Sequence, residues 1–592
     1  MHAIQEAERT GEPVRLWPGV VAVSLQWIIR FGLPIVSPDA IAFAFIGGLV
    51  GALAVLIWWA FFSRVPHLER WGALALMVLA VIAAPPILHP SIVGGMMGMM
   101  FPVFVIPGLC LALVVWAAIS SRLAAGPRRA ALAAVILIAC GAWTLVRTDG
   151  ITGNGQSQFA WRWKKTHEQQ LLARTVGEPV APEPTPAVLP IERIPEVPKA
   201  APPPAVPRVQ GEWPGFRGLH RDGTVSGVRI KTDWASSPPV ELWRRPVGPG
   251  WSSFAVRDGL IYTQEQRGDF EAVSCYDAAT GKPVWTHRDR ARFWESNAGA
   301  GPRGTPALHE GRVYSFGATG ILNALDARTG AALWTHNAAT DAGAKLPGWG
   351  FASSPRVAGG LVIVAASGRL AAYDLAGGAL RWLGPQGSGS YSSPQLLTIG
   401  GEEQVLLLSG AGATSVSPKD GKVIWKHPWG DGAMLQPALT GDGGVLITGN
   451  DMSGGTGVRR LAVARGPGGW TVEEVWTSRG LKPYYNDFVV HKGHAYGFDG
   501  AILACIDLRD GTRKWKGGRY GNGQLLLIAG QDLLLVTSEE GEVALVAAVP
   551  DQFTEVARFR AIDGKTWNHP AMAGDVLLVR NGQEMAAFRL TP

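Results

Sequence analysis

Tyr276-Asp-Ala-Ala-Thr-Gly-Lys-Pro-Val-Trp285 is the stretch that decides the fold of this 592-residue chain. An apolar strand ends at the Asp, and Asp-x-x-Thr-Gly makes a tight turn in which Gly takes a positive φ. The next strand then carries Trp out to the interface with a neighbouring unit. The unit returns as Leu325-Asp-Ala-Arg-Thr-Gly-Ala-Ala-Leu-Trp334 and as Tyr373-Asp-Leu-Ala-Gly-Gly-Ala-Leu-Arg-Trp382. Ser417-Pro-Lys-Asp-Gly-Lys-Val-Ile-Trp425 and Ile506-Asp-Leu-Arg-Asp-Gly-Thr-Arg-Lys-Trp515 are two more copies. Weaker copies end at Trp243, Trp476 and Phe559. The eight anchors are spaced 42, 49, 48, 43, 51, 39 and 44 residues apart, the period of a propeller blade.

A second marker recurs where each inner strand begins. It reads Ser252-Ser253, Thr305-Pro306, Ser353-Ser354-Pro355, Ser392-Ser393-Pro394, Gln436-Pro437, Asn486-Asp487, Gly523-Gln524 and His569-Pro570. Glu241–Arg245 supplies an outer strand with no inner strands before it, and Pro570–Leu590 supplies three strands and lacks an outer one. Joined, the two ends complete an eighth blade and close the ring without a free edge. Residues 211–592 therefore read as an eight-bladed β-propeller of 382 residues, about 48 per blade.

Composition agrees. The chain holds 76 Gly and 24 Trp, as many tight turns between short, aromatic-anchored strands require. With 47% apolar and only 17% charged residues it is not a disordered chain. The balance of 54 basic and 47 acidic residues, +7 with no dense basic run, gives no reason to expect nucleic acid as a partner. Four cysteines cannot staple a fold this large.

Residues 1–150 differ. Five long apolar runs, Trp17–Val36, Ala40–Phe62, Trp71–Leu88, Ile92–Ile119 and Ala130–Val146, predict a domain of five transmembrane helices, since about 20 apolar residues cross a bilayer. Arg9 and Arg15 precede the first run, Arg64 and Arg70 follow the second, and Arg122, Arg128 and Arg129 follow the fourth. The loops Ser37–Asp39 and His89–Ser91 carry no Lys or Arg. That alternation predicts a cytoplasmic N-terminus and, after five crossings, an outward-facing remainder. Arg162, Lys164 and Lys165 run against the rule but are interleaved with Trp161 and Trp163, as in an interfacial segment. Gly94-x-x-x-Gly98, among Met96, Met97, Met99 and Met100, reads as a close helix-packing face or a quinone pocket. Arg30 either marks an internal polar site or reaches to an interface; both readings stand. Residues 151–210 form a juxtamembrane segment and linker, Pro-rich from Glu178 to Arg208, which reads as a semi-rigid spacer.

The blade units resemble the tryptophan-docking repeats of the pyrroloquinoline quinone (PQQ) propeller superfamily, whose pattern is Ala-x-Asp-x-x-Thr-Gly-Lys-x-x-Trp. Trp213-Pro-Gly-Phe-Arg217-Gly with Arg221-Asp-Gly223 is similar to the opening of many such propellers. The resemblance implies an all-β, eight-bladed PQQ-type propeller but does not choose an activity, because the fold serves enzymes and scaffolds alike. The layout of helices then propeller resembles membrane-bound PQQ-dependent glucose dehydrogenase. The repeats also resemble the propeller lipoprotein of the outer-membrane β-barrel assembly machinery, which binds protein partners and has no cofactor.

A PQQ enzyme needs a carboxylate base, oxygen ligands for Ca²⁺ and cations facing the cofactor's carboxylates. Soluble PQQ alcohol dehydrogenases add a disulfide between adjacent cysteines. Here Cys110 and Cys140 lie in the apolar runs, Cys275 and Cys505 lie in distant blades, and no vicinal pair exists. Residues at the inner-strand starts that can face the central funnel are Trp251, Arg303, Phe351, Tyr391, Tyr485, Asn486, Asp487 and Trp567, with Arg267, Glu271 and Asp499 on nearby loops. Arg303 is the candidate anion contact and Trp567 the candidate stacking platform, with Asn486, Tyr391 and Asp499 beside them; the competing reading is that all of them only line the mouth. His491-x-x-His494 spans a turn and is not expected to bind metal.

The expectation that follows is a propeller scaffold, tethered to a bacterial inner membrane and facing the periplasm, that binds envelope proteins or a ligand and holds no cofactor. The alternative is a PQQ- and Ca²⁺-dependent dehydrogenase that oxidises an alcohol or sugar and reduces membrane quinone.

Overall fold

A computed structural model describes residues 15–182 and 211–590, apart from 38, 39, 121, 122, 154, 176, 431, 452 and 453. Arg9, Asp39, Arg122 and the Pro-rich stretch beyond Pro182 lie outside the described residues. The chain divides into two compact units, one running up to Lys165 and including residues 295–299, the other holding the rest.

Among the described residues the first unit has four helices long and apolar enough to cross a membrane, not the five expected. They are α1 (Trp17–Val36), α2 (Phe43–Phe62), α4 (Met100–Ile119) and α5 (Ala125–Leu145). The third apolar run forms α3 (His67–Ala83), whose 17 residues rise only about 26 Å against a core of about 30 Å. Its first turn is polar, with Glu69 and Arg70, and Pro85 and Pro86 lead the chain out of it. The fourth run is also shorter than expected. Pro90–Gly94 is one helical turn, Met96 and Met97 take left-handed φ of 50° and 56°, and α4 starts only at Met100. Gly94 and Gly98 therefore sit in a break and form no helix-packing face.

The basic residues gather at one end of this unit. Trp58 Nε1 donates to the Arg15 carbonyl (2.8 Å), Trp59 Nε1 to that of Arg70 (3.0 Å) and Trp116 Nε1 to that of Arg128 (3.0 Å). Arg128 pairs with buried Glu69 at 2.8 Å. At the other end the chain leaves α5 through a hairpin, Val146–Ile151 with Ser157–Trp161, and Thr148 N donates to Ser91 Oγ (2.9 Å).

In the second unit the strands make eight blades. Blades 1 to 6 span 255–289, 307–337, 356–383, 395–427, 438–478 and 489–519, each four antiparallel strands. Blade 7 spans 524–560 and gains Thr224–Val225 as a parallel inner strand. Blade 8 closes the ring as expected: Glu584–Arg589 pairs with Val240–Pro246, Ala587 opposite Trp243. With four strands per blade, the blade-to-blade links and the hairpins between second and third strands share one face, called upper here, and the Asp–Gly turns lie on the lower face.

The repeat works as its chemistry implies. Asp277 Oδ1 accepts from Ala279 N, Thr280 N and Thr280 Oγ1, which holds the turn. Each anchor indole reaches the turn of the next blade: Trp243 Nε1 donates to the Ala278 carbonyl (2.8 Å), Trp285 to Ala327 (3.1 Å), Trp334 to Leu375 (3.2 Å) and Trp515 to Val549 (2.8 Å). The turn glycine lies against that ring. Gly378, at φ 73°, has the Trp334 indole 2.6 Å from where a Cβ would stand, so the close approach and the backbone both require Gly. Trp425 departs from the pattern, donating to Gln404 of its own blade (2.7 Å).

The linker does not begin as a free spacer. A helix, α6 (His167–Arg174), is capped by Thr166. Beyond it Glu178 pairs with Arg245 (2.8 Å) and Arg267 (2.6 Å), and Ala181 N donates to the Thr286 carbonyl of blade 1 (2.9 Å).

Candidate functional site at the ring centre

The inner-strand starts form a hydrogen-bonded belt. Ser253 N donates to Thr305 Oγ1 (2.9 Å), Thr305 N to Ser354 Oγ (2.9 Å) and Ser354 N to Ser393 Oγ (2.8 Å). Asp487 N donates to Gln524 Oε1 (3.2 Å), and Ser253 Oγ donates to the His569 carbonyl (2.6 Å). These small hydroxyl residues therefore join blade to blade. A strand start offers an unpaired N–H, and a hydroxyl of the next blade is short enough to accept it at the crowded axis.

Below the belt, residues 211–225 thread the axis as a plug. Trp213 bridges to Val256 of blade 1, Leu308 N of blade 2 donates to the Pro214 carbonyl (2.8 Å), and Leu527 N of blade 7 donates to that of Gly223 (2.9 Å). Arg221, 3% exposed, donates to the carbonyls of Ser354 and Pro394 (3.0 Å each) and to that of Pro355. Arg217 donates to the Phe488 carbonyl (2.6 Å) and pairs with Asp487 (3.3 Å). His569 Nε2 lies 3.2 Å from the other Asp487 oxygen, and Phe216 packs edge-on to the His569 ring. Burial pushes the His569 pKa down against the pull of Asp487. The two arginines of the opening motif are thus keystones of the ring, a role its spacing alone did not declare.

The upper mouth is aromatic. Trp567 packs against Trp251 and Tyr485, centroids 5.0 Å from each, and Lys565 Nζ stands 4.4 Å from its ring. The Trp567 indole N–H donates to Glu539 Oε1 (2.8 Å), and Asn522 N donates to Glu539 Oε2 (3.1 Å). Burial and the Glu539 charge hold the Tyr485 hydroxyl well above its usual pKa. A second group joins Arg303 to Tyr391: Arg303 Nε donates to the Trp349 carbonyl (3.1 Å), and the Trp349 and Tyr391 rings are 5.3 Å apart. Arg303 also donates to the Gly301 carbonyl and lies 4.7 Å from the Phe293 ring.

Other expected site residues go elsewhere. Asn486 is buried, its Oδ1 accepting from Tyr484 N (2.9 Å). Asp499 is locked by Lys482, Arg513 and Lys516 at 2.7–2.9 Å. Phe351 is buried against Phe316, and Arg267, at the hairpin between the second and third strands of blade 1, pairs with Glu265 (3.0 Å). Glu271 is buried, accepting from Thr319 Oγ1 (3.0 Å), and burial pushes its pKa up to about 7. His491 and His494 face each other across a hairpin turn and contact different acids, Asp532 and Asp507. Glu539 escaped the sequence reading because it lies on the hairpin between the second and third strands of blade 7, and Lys565 and Trp349 because they lie on blade connections ahead of the strand-start marker.

The repeats at residues 234–394 and 286–517 match the family model described as outer membrane protein assembly factor BamB. The second unit is an eight-bladed propeller whose repeats are similar to that family. Over 137 residues, 22% of this chain, it is 31% identical to quinohemoprotein alcohol dehydrogenase ADH-IIG of Pseudomonas putida, and the match spans only 18% of that relative's length. Among solved structures, BamB from Moraxella catarrhalis aligns at 16% identity and TM-score 0.44 over 59% of this chain and 97% of its own. Quinohemoprotein alcohol dehydrogenase from Comamonas testosteroni aligns at 14% and 0.41 over 64% and 82%.

The mouth of the propeller does not suit PQQ, the cofactor that the likeness implies. PQQ needs an open aromatic face, free cations for its carboxylates and Ca²⁺ held by oxygen ligands. Trp567 has its ring contacts with Trp251, Tyr485 and Lys565, and Arg303 is engaged by two carbonyls and a ring. Asp487 and Asp499 are paired to cations, and Glu539 accepts from the Trp567 indole. Among the described residues no three His, Cys, Asp or Glu side chains are grouped to hold a metal ion. A cleft of about 60 Å³ between blades 3 and 4, lined by Leu370, Gln386, Leu407 and Thr414, is the size of one or two waters.

Proposed function

We propose that this protein is a membrane-tethered, periplasm-facing scaffold that binds an envelope protein or a ligand on the upper propeller face and catalyses no reaction. The observation that carries this reading is the state of the mouth. Its charged groups are engaged by the chain itself, while Trp251, Trp349, Tyr391, Tyr484, Tyr485 and Trp567 stay partly exposed beside them. Rigid aromatic rings set among Arg and Lys are the residues that carry most of the energy in protein interfaces. The four apolar helices supply the tether, and the shorter α3, with Arg70 at the basic end and Ser91 following it at the exit end, is the fifth leg that lets the chain leave opposite its N-terminus. Arg15, Arg64, Arg70, Arg128 and Arg129 gather at the end of the helical unit that the positive-inside rule assigns to the cytoplasm, and the chain leaves from the other end.

The rival reading is a quinone-linked, PQQ-dependent dehydrogenase, favoured by the 137-residue likeness to a quinohemoprotein alcohol dehydrogenase. One experiment separates the two. Full-length protein in detergent, given PQQ and Ca²⁺, keeps its melting temperature on the scaffold reading, because a ligand that does not bind the native state cannot stabilise it. A photocrosslinker at Tyr391 then traps a partner of defined mass, and one at Asp258 on the lower face does not. A saturable Ca²⁺-dependent shift with PQQ, lost in Arg303→Ala and accompanied by dye reduction with an alcohol or sugar, overturns the scaffold.

A further inference from the structure

Arg30 is charged, buried and unpaired. It sits in α1, yet only 5% of it is exposed, so it does not reach out to an interface. Among the described residues it has no carboxylate and no hydrogen-bond acceptor, and its Nε and Nη2 are buried without a partner. Three phenylalanines surround it instead: its guanidinium carbon lies 4.1 Å from the ring centroid of Phe45, 4.9 Å from Phe104 and 5.0 Å from Phe31. Ring faces attract a cation but accept none of its N–H bonds in the plane where a guanidinium directs them. A guanidinium held this way in an apolar helical unit requires an anion.

The seat is built for that side chain. Residues Ile28–Gly32 run as a π-helical turn, a feature that concentrates at functional sites because it re-aims one side chain. On α2 a Cβ at Gly48 would stand 2.9 Å from Arg30 Cδ, and one turn earlier on α1 Gln26 Nε2 donates to the Gly48 carbonyl (3.0 Å). Gly48 thus makes the room that Arg30 fills, and any larger residue would expel it.

We propose that Arg30 binds the phosphate of an anionic phospholipid in a phenylalanine-lined seat between α1, α2 and α4. The guanidinium fork matches two phosphate oxygens, and because Nε and Nη2 are covered, the phenylalanine rings over them part to admit the phosphate. Depth favours a lipid source: Arg30 lies six residues before Val36 at the end of α1, about 9 Å along the axis, within reach of a headgroup drawn down beside the helix. Phe43, Ile46, Leu49, Val50 and Leu53 of α2 are all more than half exposed, an apolar flank for the acyl chains. The proposal rests on the membrane reading of these helices.

The test is native mass spectrometry of the full chain in detergent, titrated separately with phosphatidylglycerol, phosphatidylcholine and inorganic phosphate. Wild type is expected to retain one phosphatidylglycerol at least tenfold more tightly than Arg30→Gln or Gly48→Leu, with Arg30→Lys between them and phosphatidylcholine weak throughout. Equal retention by wild type and both variants overturns the proposal, as does displacement of the lipid by millimolar inorganic phosphate, which would assign the seat to a soluble anion. Unchanged helical circular dichroism and a single gel-filtration peak in detergent for each variant show that the helical unit survives. Carbonate extraction of cell membranes separates the premises: release into the supernatant defeats the membrane reading itself, while retention with Arg30-independent lipid binding defeats only the lipid site.

Discussion

Glu271 couples the upper face to pH through one buried carboxyl. It stands at the hairpin between the second and third strands of blade 1, only 4% exposed, with one oxygen on Thr319 and the other without a partner. Burial raises its pKa, and the Asp289 charge adds to this while Arg303 opposes it, leaving it at about 7. In the unfolded chain it returns to about 4.5, so between these values the folded state binds more protons than the unfolded one. Its contribution is complete below pH 4.5 and is lost as pH rises through 7, about 3 kcal/mol in all. Glu271→Gln is expected to flatten that part of the stability curve between pH 5 and 8, read by thermal unfolding; an unchanged slope would show that another group carries it. The neighbouring charge matters to the candidate site, since Arg303 faces a carboxyl that is neutral below pH 7 and anionic above it.

Among the elements, the plug of residues 211–225 has the sharpest energetic signature. Arg217, Asp487 and His569 meet at the axis with all three buried, and each comes from a different part of the chain. Removing one member leaves an uncompensated buried charge, which costs about 3–5 kcal/mol. Asp487→Ala is therefore expected to lower the unfolding midpoint far more than Asp499→Ala, although Asp499 touches three cations, because water can replace the half-exposed Lys482 and Arg513 as partners. Combining Asp487→Ala with Arg217→Met should cost less than the sum of the two. Additive losses would mean that the pair is not coupled and that the plug is held by its backbone bonds alone.

For the whole molecule, closure decides whether there is a ring at all. Val240–Pro246 has Glu584–Arg589 as its paired strand, so blade 8 is assembled from residues more than 300 positions apart. Truncation after Val579 removes that strand, exposes the edges of blade 8 and strands Trp243. We expect the truncated chain to lose cooperative unfolding and to be digested throughout residues 211–579 by trypsin, with the helical unit still extracted by detergent. A protease-resistant seven-blade core would refute the need for closure.

The blade count, the anchors and the joining of the two ends were legible in the amino-acid sequence because each depends on local chemistry. Asp-x-x-Thr-Gly holds a turn through its own side chains, and Trp285, nine residues after Tyr276, reaches the turn of the next blade. The apolar runs were legible for the same reason, but their lengths as helices were not. Pro85 and Pro86 and the left-handed Met96 and Met97 cut two runs short, since backbone geometry and not apolarity ends a helix. The site lay further out of reach. Arg303, Trp567 and Tyr391 were found at the mouth, and Asn486 and Asp499 were drawn into structural bonds, because a side chain's position along a strand does not name its partner. Only the closed ring brings Arg217 to Asp487, Glu539 to Trp567 and Lys565 to Trp251. Those contacts join segments distant in sequence, and no local pattern encodes which charge will already be taken when they meet.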